Sequence, residues 1–127
     1  MSIIGHGIDL VENERIERVW KQHPERFLSR ILTDVERQYC ERHKNPVPRI
    51  AGRFAAKEAI LKVIGTGWRG QIAWTDIEIT NDDAGQPHVA LTGHTEEVAS
   101  RLGIANILLT ITHTDHYAAA SAIGVSG

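Results

Sequence analysis

The run from Ile50 to Ile64 leaves this chain the fewest choices. It is rich in Ala, Leu, Lys and Glu, all strong helix formers, and Gly65-Thr66-Gly67 stops it just past the last apolar residue. At about 100° per residue, Ile50, Phe54, Leu61 and Ile64 fall on one stripe. Ala51, Ala55, Ala56, Ala59 and Val63 cover much of the other side. A helix with so little plainly polar surface is buried on more than one face, so the remaining elements have to be laid around it. Glu58 lies beside Phe54 and Ala55, and a carboxylate partly out of water needs a cation, a metal or several donors. Lys62, one turn on, offers the simpler answer, an i,i+4 ion pair worth roughly a few tenths of a kcal/mol. The sharper alternative is that Glu58 holds a metal and Lys62 reaches a phosphate.

The other segments supply that cover. Ile3 to Val11 reads as a strand with Ile4, His6, Ile8 and Leu10 on one face. Gly5, Gly7 and Asp9 take the other, where the two glycines leave room for a close neighbour. Asn13 is expected to cap a helix to about Gln22, with Ile16, Val19 and Trp20 inward and Arg15 and Arg18 on another side. Pro24 to Leu32 reads as a short helix, and Thr33-Asp34-Val35-Glu36 is a capping box that opens another, to about His43. The prolines of Lys44–Pro48 mark a loop. Past the central helix, Ile72–Thr80 and His88–Leu91 read as strands around the turn Asn81–Pro87. An amphipathic helix follows over Thr92–Gly103, with Val98, Ala99 and Leu102 inward. Ile107–Thr112 and Tyr117–Val125 are the last strands, and the small residues Ala118 to Ser121 predict tight packing against another element. A strand, a run of helices, two strands, a helix and two strands read as α+β.

Several function classes are excluded. A net charge of −2 with the seven histidines neutral gives no basic field for nucleic acid. No run approaches the ~20 apolar residues of a membrane span, and one cysteine, Cys40, forms no internal disulfide, so the expected location is the cytoplasm. His113 and His116 sit in a turn with no cysteine cluster to complete a zinc site. His113, Asp115 and Ser121 lack a nucleophile elbow. The G-x-G-x-x-G over 65–70 closes a helix where a dinucleotide fingerprint opens one. Asp9 and Glu58 remain, oxygen ligands that suit a hard cation such as Mg²⁺. With Arg53, Lys57, Lys62 and the Gly-Thr-Gly bend they make a parts list for a diphosphate substrate. Residue types alone leave a metal-dependent diphosphate hydrolase and a non-catalytic binding module open beside a transferase.

Taken together, Gly7-Ile8-Asp9-Leu10-Val11-Glu12, Gly52-Arg53-Phe54-Ala55-Ala56-Lys57-Glu58-Ala59 with Lys62, Gly65-Thr66-Gly67, Gly85-x-Pro87, and Thr112-His113-Thr114 through Tyr117-Ala118 resemble the holo-[acyl-carrier-protein] synthases. These are the small, stand-alone class of 4′-phosphopantetheinyl transferases. The resemblance implies a single α+β domain over 1–127, with an antiparallel-rich sheet packed around a long central helix at about 50–64. It implies transfer of 4′-phosphopantetheine from coenzyme A to a serine of apo-acyl carrier protein in fatty acid biosynthesis, releasing adenosine 3′,5′-bisphosphate. By the same resemblance Asp9 and Glu58 hold Mg²⁺, Glu58 and Lys62 are catalytic, and Arg53, Lys62, Gly65, Thr66, Gly85, Pro87 and His113 meet coenzyme A. Arg15 and Arg18 face the acidic carrier, and three copies assemble with sites between subunits. The acceptor of the serine proton is Glu58 or a water on the metal. Relatives often carry a basic residue where Gln86 stands and a richer basic run around Lys44 and Asn45, and Arg49 is the candidate to make up for both.

Overall fold

The computed structural model describes residues 1–65 and 73–127. Strand β1 (Ile3–Glu12) leads into α1 (Asn13–Gln22), α2 (Pro24–Ile31), α3 (Asp34–Glu41) and α4 (Val47–Ile64). A short 3₁₀ turn (Trp74–Asp76) precedes β2 (Ile77–Asn81), β3 (Pro87–Leu91), α5 (Gly93–Arg101), β4 (Asn106–His113) and β5 (Tyr117–Val125). Every pairing is antiparallel: β1-β5-β4 form one sheet and β2-β3 a hairpin. The α+β architecture around one long helix is therefore the observed one.

Helix α4 runs through the centre because both of its sides meet small or apolar neighbours. Ala51, Ala55, Ala56, Ala59 and Ile60 are wholly buried. The side facing the three-stranded sheet is met by small residues, Gly7 of β1 opposite Ala122 of β5, with Ala120 and Ala118 following along the same face of β5. A Cβ added at Gly7 would land on the Ala59 carbonyl oxygen, and one at Gly124 would press on the Val63 side chain. The glycines of β1 and the alanines of β5 thus let a helix lie closer to the sheet than branched residues would allow. The consequence is inverted patterning: the aliphatic residues Ile4, Ile8 and Leu10 of β1 point away from the core and are exposed.

On its other side α4 is held by a buried ion pair. Lys57 and Glu36 are both inaccessible to solvent, with Lys57 Nζ 2.6 Å from Glu36 Oε1. The same ammonium donates to the carbonyls of Ile31 (2.6 Å) and Trp74 (3.1 Å). Glu36 also accepts from the backbone N–H of Thr33 and of Ile79, each at 2.9 Å. The capping-box residue read from the sequence is therefore a junction for α2, α3, α4 and β2. Lys57 belongs to this junction and not to a substrate site, which corrects its place among the diphosphate-binding parts. Burial pulls its pKa below the usual lysine range, and Glu36 pulls it partly back.

Smaller expectations shift for local reasons. Asn13 is not the cap: Glu12 holds that position without a side-chain bond. The backbone N–H of Asn13 donates to His116 O, and its side chain donates to Thr114 O, tying α1 to the β4–β5 turn. Helix α4 starts three residues earlier than expected, because Pro48 falls in its first turn, where a missing N–H costs nothing. Leu102 ends α5 exposed rather than inward. The strand expected over Ile72–Thr80 begins at Ile77, after the 3₁₀ turn, with Ile72 outside the described residues. Among the described residues no helix is long and apolar enough to cross a membrane.

Replacing Lys57 by Met leaves the Glu36 carboxylate and two carbonyls buried with a donor removed. Urea unfolding should record a loss of about 3–5 kcal/mol. Adding Glu36→Gln should recover part of it, because the uncompensated charge is then gone.

Candidate active site

The close contact of β1 with α4 decides what stands near Glu58. With Gly7 seated against Ala59, Asp9 follows two residues on along the same face of β1, where Lys62 of α4 reaches it. Glu58 is half-buried, and among the described residues it has neither a hydrogen bond nor an ion pair. Burial, with the nearby Asp9 charge second, raises its carboxyl pKa, and Lys62 offsets this only in part. The expected Glu58–Lys62 ion pair does not form. Lys62 turns instead to β1, donating to the Ile8 carbonyl at 2.8 Å and to Asp9 Oδ1 at 3.3 Å. Neither reading of the helix sequence foresaw this, because the Ile8 carbonyl is a backbone atom of a strand 54 residues away.

A half-buried carboxylate without a partner among the described residues, with a second carboxylate near enough to raise its pKa, makes a place for a cation. Among the described residues no group of three or more His, Cys, Asp or Glu gathers anywhere. A two-carboxylate set suits a hard ion that fills its remaining positions with water and substrate oxygens, and Mg²⁺ fits the residues present.

A second feature lies toward the N-terminal half of α4. The lining of a cleft of about 200 Å³ includes Arg49, Arg53, Gly85, Pro87 and His113, together with Tyr39 and Asn81. Four of the residues expected to meet coenzyme A, Arg53, Gly85, Pro87 and His113, are thus brought together. Lys62 and Gly65 are not in this cleft. Gly65 ends α4 with a φ of 93°, a left-handed conformation that explains the stop signal. Thr66 lies outside the described residues. Arg53 is buried beneath the cleft, its guanidinium 4.4 Å from the Tyr39 ring centre. It donates to Asn81 Oδ1 at 2.6 Å and to Ile79 O at 3.3 Å, while its Nε has no partner among the described residues. Asn81 in turn donates to Gly85 O, so Arg53 shapes the very turn that carries Gly85 and Pro87. Arg49 lies 3.2 Å from His113 Nε2. Neither arginine has a carboxylate partner among the described residues, so two cations stand at the cleft without an ion pair. Tyr39 and Asn81 were not singled out beforehand, since a helix tyrosine and a turn asparagine carry no signal of their own.

Arg15 and Arg18 are exposed on α1, where Arg18 approaches Glu14 at 3.8 Å with both side chains largely in water. Such a pair is worth little and leaves both arginines available.

The geometry can be set beside known proteins. A family model described as the 4′-phosphopantetheinyl transferase superfamily matches residues 5–122. A holo-[acyl-carrier-protein] synthase of Caldanaerobacter subterraneus is 46% identical over 121 residues, 95% of this chain and 94% of that protein. The crystal structure of the holo-[acyl-carrier-protein] synthase of Neisseria meningitidis superposes with a TM-score of 0.89 at 32% identity, covering 98% of this chain and all of that one. A holo-(acyl-carrier-protein) synthase from Bacillus anthracis, solved in complex with CoA (3′,5′-ADP), superposes at 0.81 with 35% identity and 98% of each chain covered.

Because the raised Glu58 pKa means that ionising this group works against the fold as pH rises, Glu58→Gln should not lower the melting temperature in metal-free buffer near neutral pH. Added Mg²⁺ should raise the melting temperature of the parent chain and leave that of Glu58→Gln unmoved. Differential scanning fluorimetry reads both.

Proposed function

This chain belongs to the 4′-phosphopantetheinyl transferase superfamily, and on that footing we propose that it transfers 4′-phosphopantetheine from coenzyme A to a serine of apo-acyl carrier protein. The observation that carries this reading is the convergence of Asp9, Glu58 and Lys62 where β1 meets α4. The serine oxygen attacks the phosphorus that bears pantetheine. The bond from that phosphorus to the oxygen of the adenosine 5′-phosphate breaks, and adenosine 3′,5′-bisphosphate leaves. Such a reaction asks for positioning and charge neutralisation more than for covalent help. Mg²⁺ bound to Asp9 and Glu58 would neutralise charge on the diphosphate oxygens. Lys62, anchored on Ile8 O and Asp9, supplies a fixed cation at the same place. The acceptor of the serine proton would be Glu58 or a water at the same site.

The arginine cleft is the place for the anionic nucleotide end of coenzyme A, with Arg53 beneath it and Arg49 and His113 at its mouth. Arg49 stands where Gln86 and Asn45 leave basic charge short. The complex of the Bacillus anthracis protein with CoA (3′,5′-ADP) supports coenzyme A as the substrate. The carrier docks on α1 through Arg15 and Arg18.

Three copies form the working assembly. Two observations support this. Ile4, Ile8, Leu10 and Leu108 lie 41–65% exposed on the outer face of the three-stranded sheet, a surface that gains from being covered. Asp9 and Glu58 are also not among the residues that line the cleft with Arg53, which fits a substrate that reaches beyond that cleft. The reaction belongs to fatty acid biosynthesis in the cytoplasm, which accords with a buried, unpaired Cys40.

Intact-mass measurement on apo-acyl carrier protein with coenzyme A and Mg²⁺ should record the added phosphopantetheine, and Glu58→Gln should lose most of that activity, by about a hundredfold or more. Release of free phosphopantetheine with an unmodified carrier would mean a hydrolase instead. Reversing both charges, Arg15→Glu with Arg18→Glu, should raise KM for the carrier about tenfold or more while KM for coenzyme A stays within about twofold. Equal loss for both substrates would remove α1 as the docking helix.

A further inference from the structure

Asn81 is the last residue of β2 and stands third on the strand face whose first two positions are the wholly buried Ile77 and Ile79. An aliphatic side chain would continue that pattern. The half-buried amide instead lines the cleft with Arg53, Gly85 and Pro87. Its Oδ1 accepts from Arg53 Nη2 at 2.6 Å, and its Nδ2 donates to Gly85 O at 3.0 Å. These partners leave the amide one orientation, because a guanidinium only donates and a carbonyl only accepts.

The turn that carries Gly85 is braced from within. Asp82 Oδ1 accepts from the N–H groups of Ala84 and Gln86, each at 2.9 Å. Asp82 N–H donates to Gln86 O at 3.0 Å, and Gly85 N–H to Asp82 O at 2.9 Å. The Asn81 side chain links this braced turn to α4 through Arg53. Arg53 is held besides by Ile79 O at 3.3 Å and by the Tyr39 ring, 4.4 Å from its guanidinium carbon. All three of these groups are neutral, so they fix the plane of the guanidinium and leave its charge for an anion.

We infer that Asn81 is a positioning residue for coenzyme A: its one amide sets the Arg53 guanidinium and the Gly85 turn in a fixed relation before the nucleotide end arrives. The inference rests on the transferase reading and on the cleft assigned above to that end. Without the amide, the guanidinium loses its shortest hydrogen bond and the turn its tie to α4, and both would have to be ordered as the ligand binds. That cost falls on affinity. Asp9, Glu58 and Lys62 are not among the residues that line this cleft, so turnover of the bound substrate is spared. An aspartate at this position would still accept from Arg53. It would also cancel charge meant for the ligand and set an acceptor against Gly85 O.

Calorimetric titration with coenzyme A in Mg²⁺ buffer, and transfer kinetics by intact mass on apo-acyl carrier protein, test this on the parent chain, Asn81→Leu and Asn81→Asp. Far-UV circular dichroism and the melting temperature follow folding in each. Asn81→Leu, close to asparagine in size, should raise Kd and KM for coenzyme A about tenfold or more. Its kcat and its KM for the carrier should stay within about threefold of the parent. Asn81→Asp should also weaken coenzyme A about tenfold or more. Should Asn81→Leu not fold, Asn81→Asp carries the comparison. Unchanged coenzyme A affinity in either folded variant overturns the positioning role and leaves transfer standing. A loss shared equally by kcat, both KM values and the melting temperature also overturns it, since a loosened fold gives that result. A parent chain that binds no coenzyme A and leaves the carrier unmodified overturns both readings.

Discussion

The distance between one strand and one helix governs this molecule. Strand β1 can approach α4 only because Gly7 presents no Cβ to the Ala59 carbonyl and because β5 answers with Ala118, Ala120 and Ala122. Any larger side chain would push the sheet outward, and Asp9 would move with it. Close packing therefore sets the electrostatics of the site: burial raises the Glu58 pKa most, and the like-charge neighbour that adds to it is delivered by a steric allowance two residues upstream. The same allowance turns the aliphatic side chains of β1 outward, so that one local choice of small residues creates both the carboxylate pair and the exposed apolar sheet face.

The rotation of α4 about its axis is fixed from the opposite side. Lys57 and Glu36 are costly to bury, and their attraction repays that cost only because the remaining donors and acceptors are nearly all filled by backbone groups of α2, α3, β2 and the turn at Trp74. An apolar pair of similar volume could supply comparable stability. What it would lack is direction. Hydrogen bonds to four separate segments define a single angular setting for the helix, and Glu58, the next residue after Lys57, inherits it. Arg53 works in a similar way one turn earlier, connecting α4 to Ile79 and to the turn behind Gly85. The helix therefore has structural cations at Arg53 and Lys57 and a solvent-facing one at Lys62, although the three look alike in the sequence.

Residue pattern alone determined a good deal. The periodicity and the glycine stop define α4 to within a turn. The capping box at Thr33 and Glu36 marks α3, and alternation locates the strands. These are local properties, set by backbone geometry and side-chain type over a few residues, so no tertiary information is needed to read them. The tertiary structure alone decided the partners. Lys62 bonds to β1 instead of Glu58, Glu36 reaches Lys57 as well as its own helix start, Asn13 ties down a turn instead of capping, and Tyr39 with Asn81 joins the arginine cleft. Each of these contacts joins residues distant in sequence. Which of several chemically equivalent partners a long flexible side chain takes depends on the few ångströms between packed backbones, a quantity that no single stretch of sequence encodes.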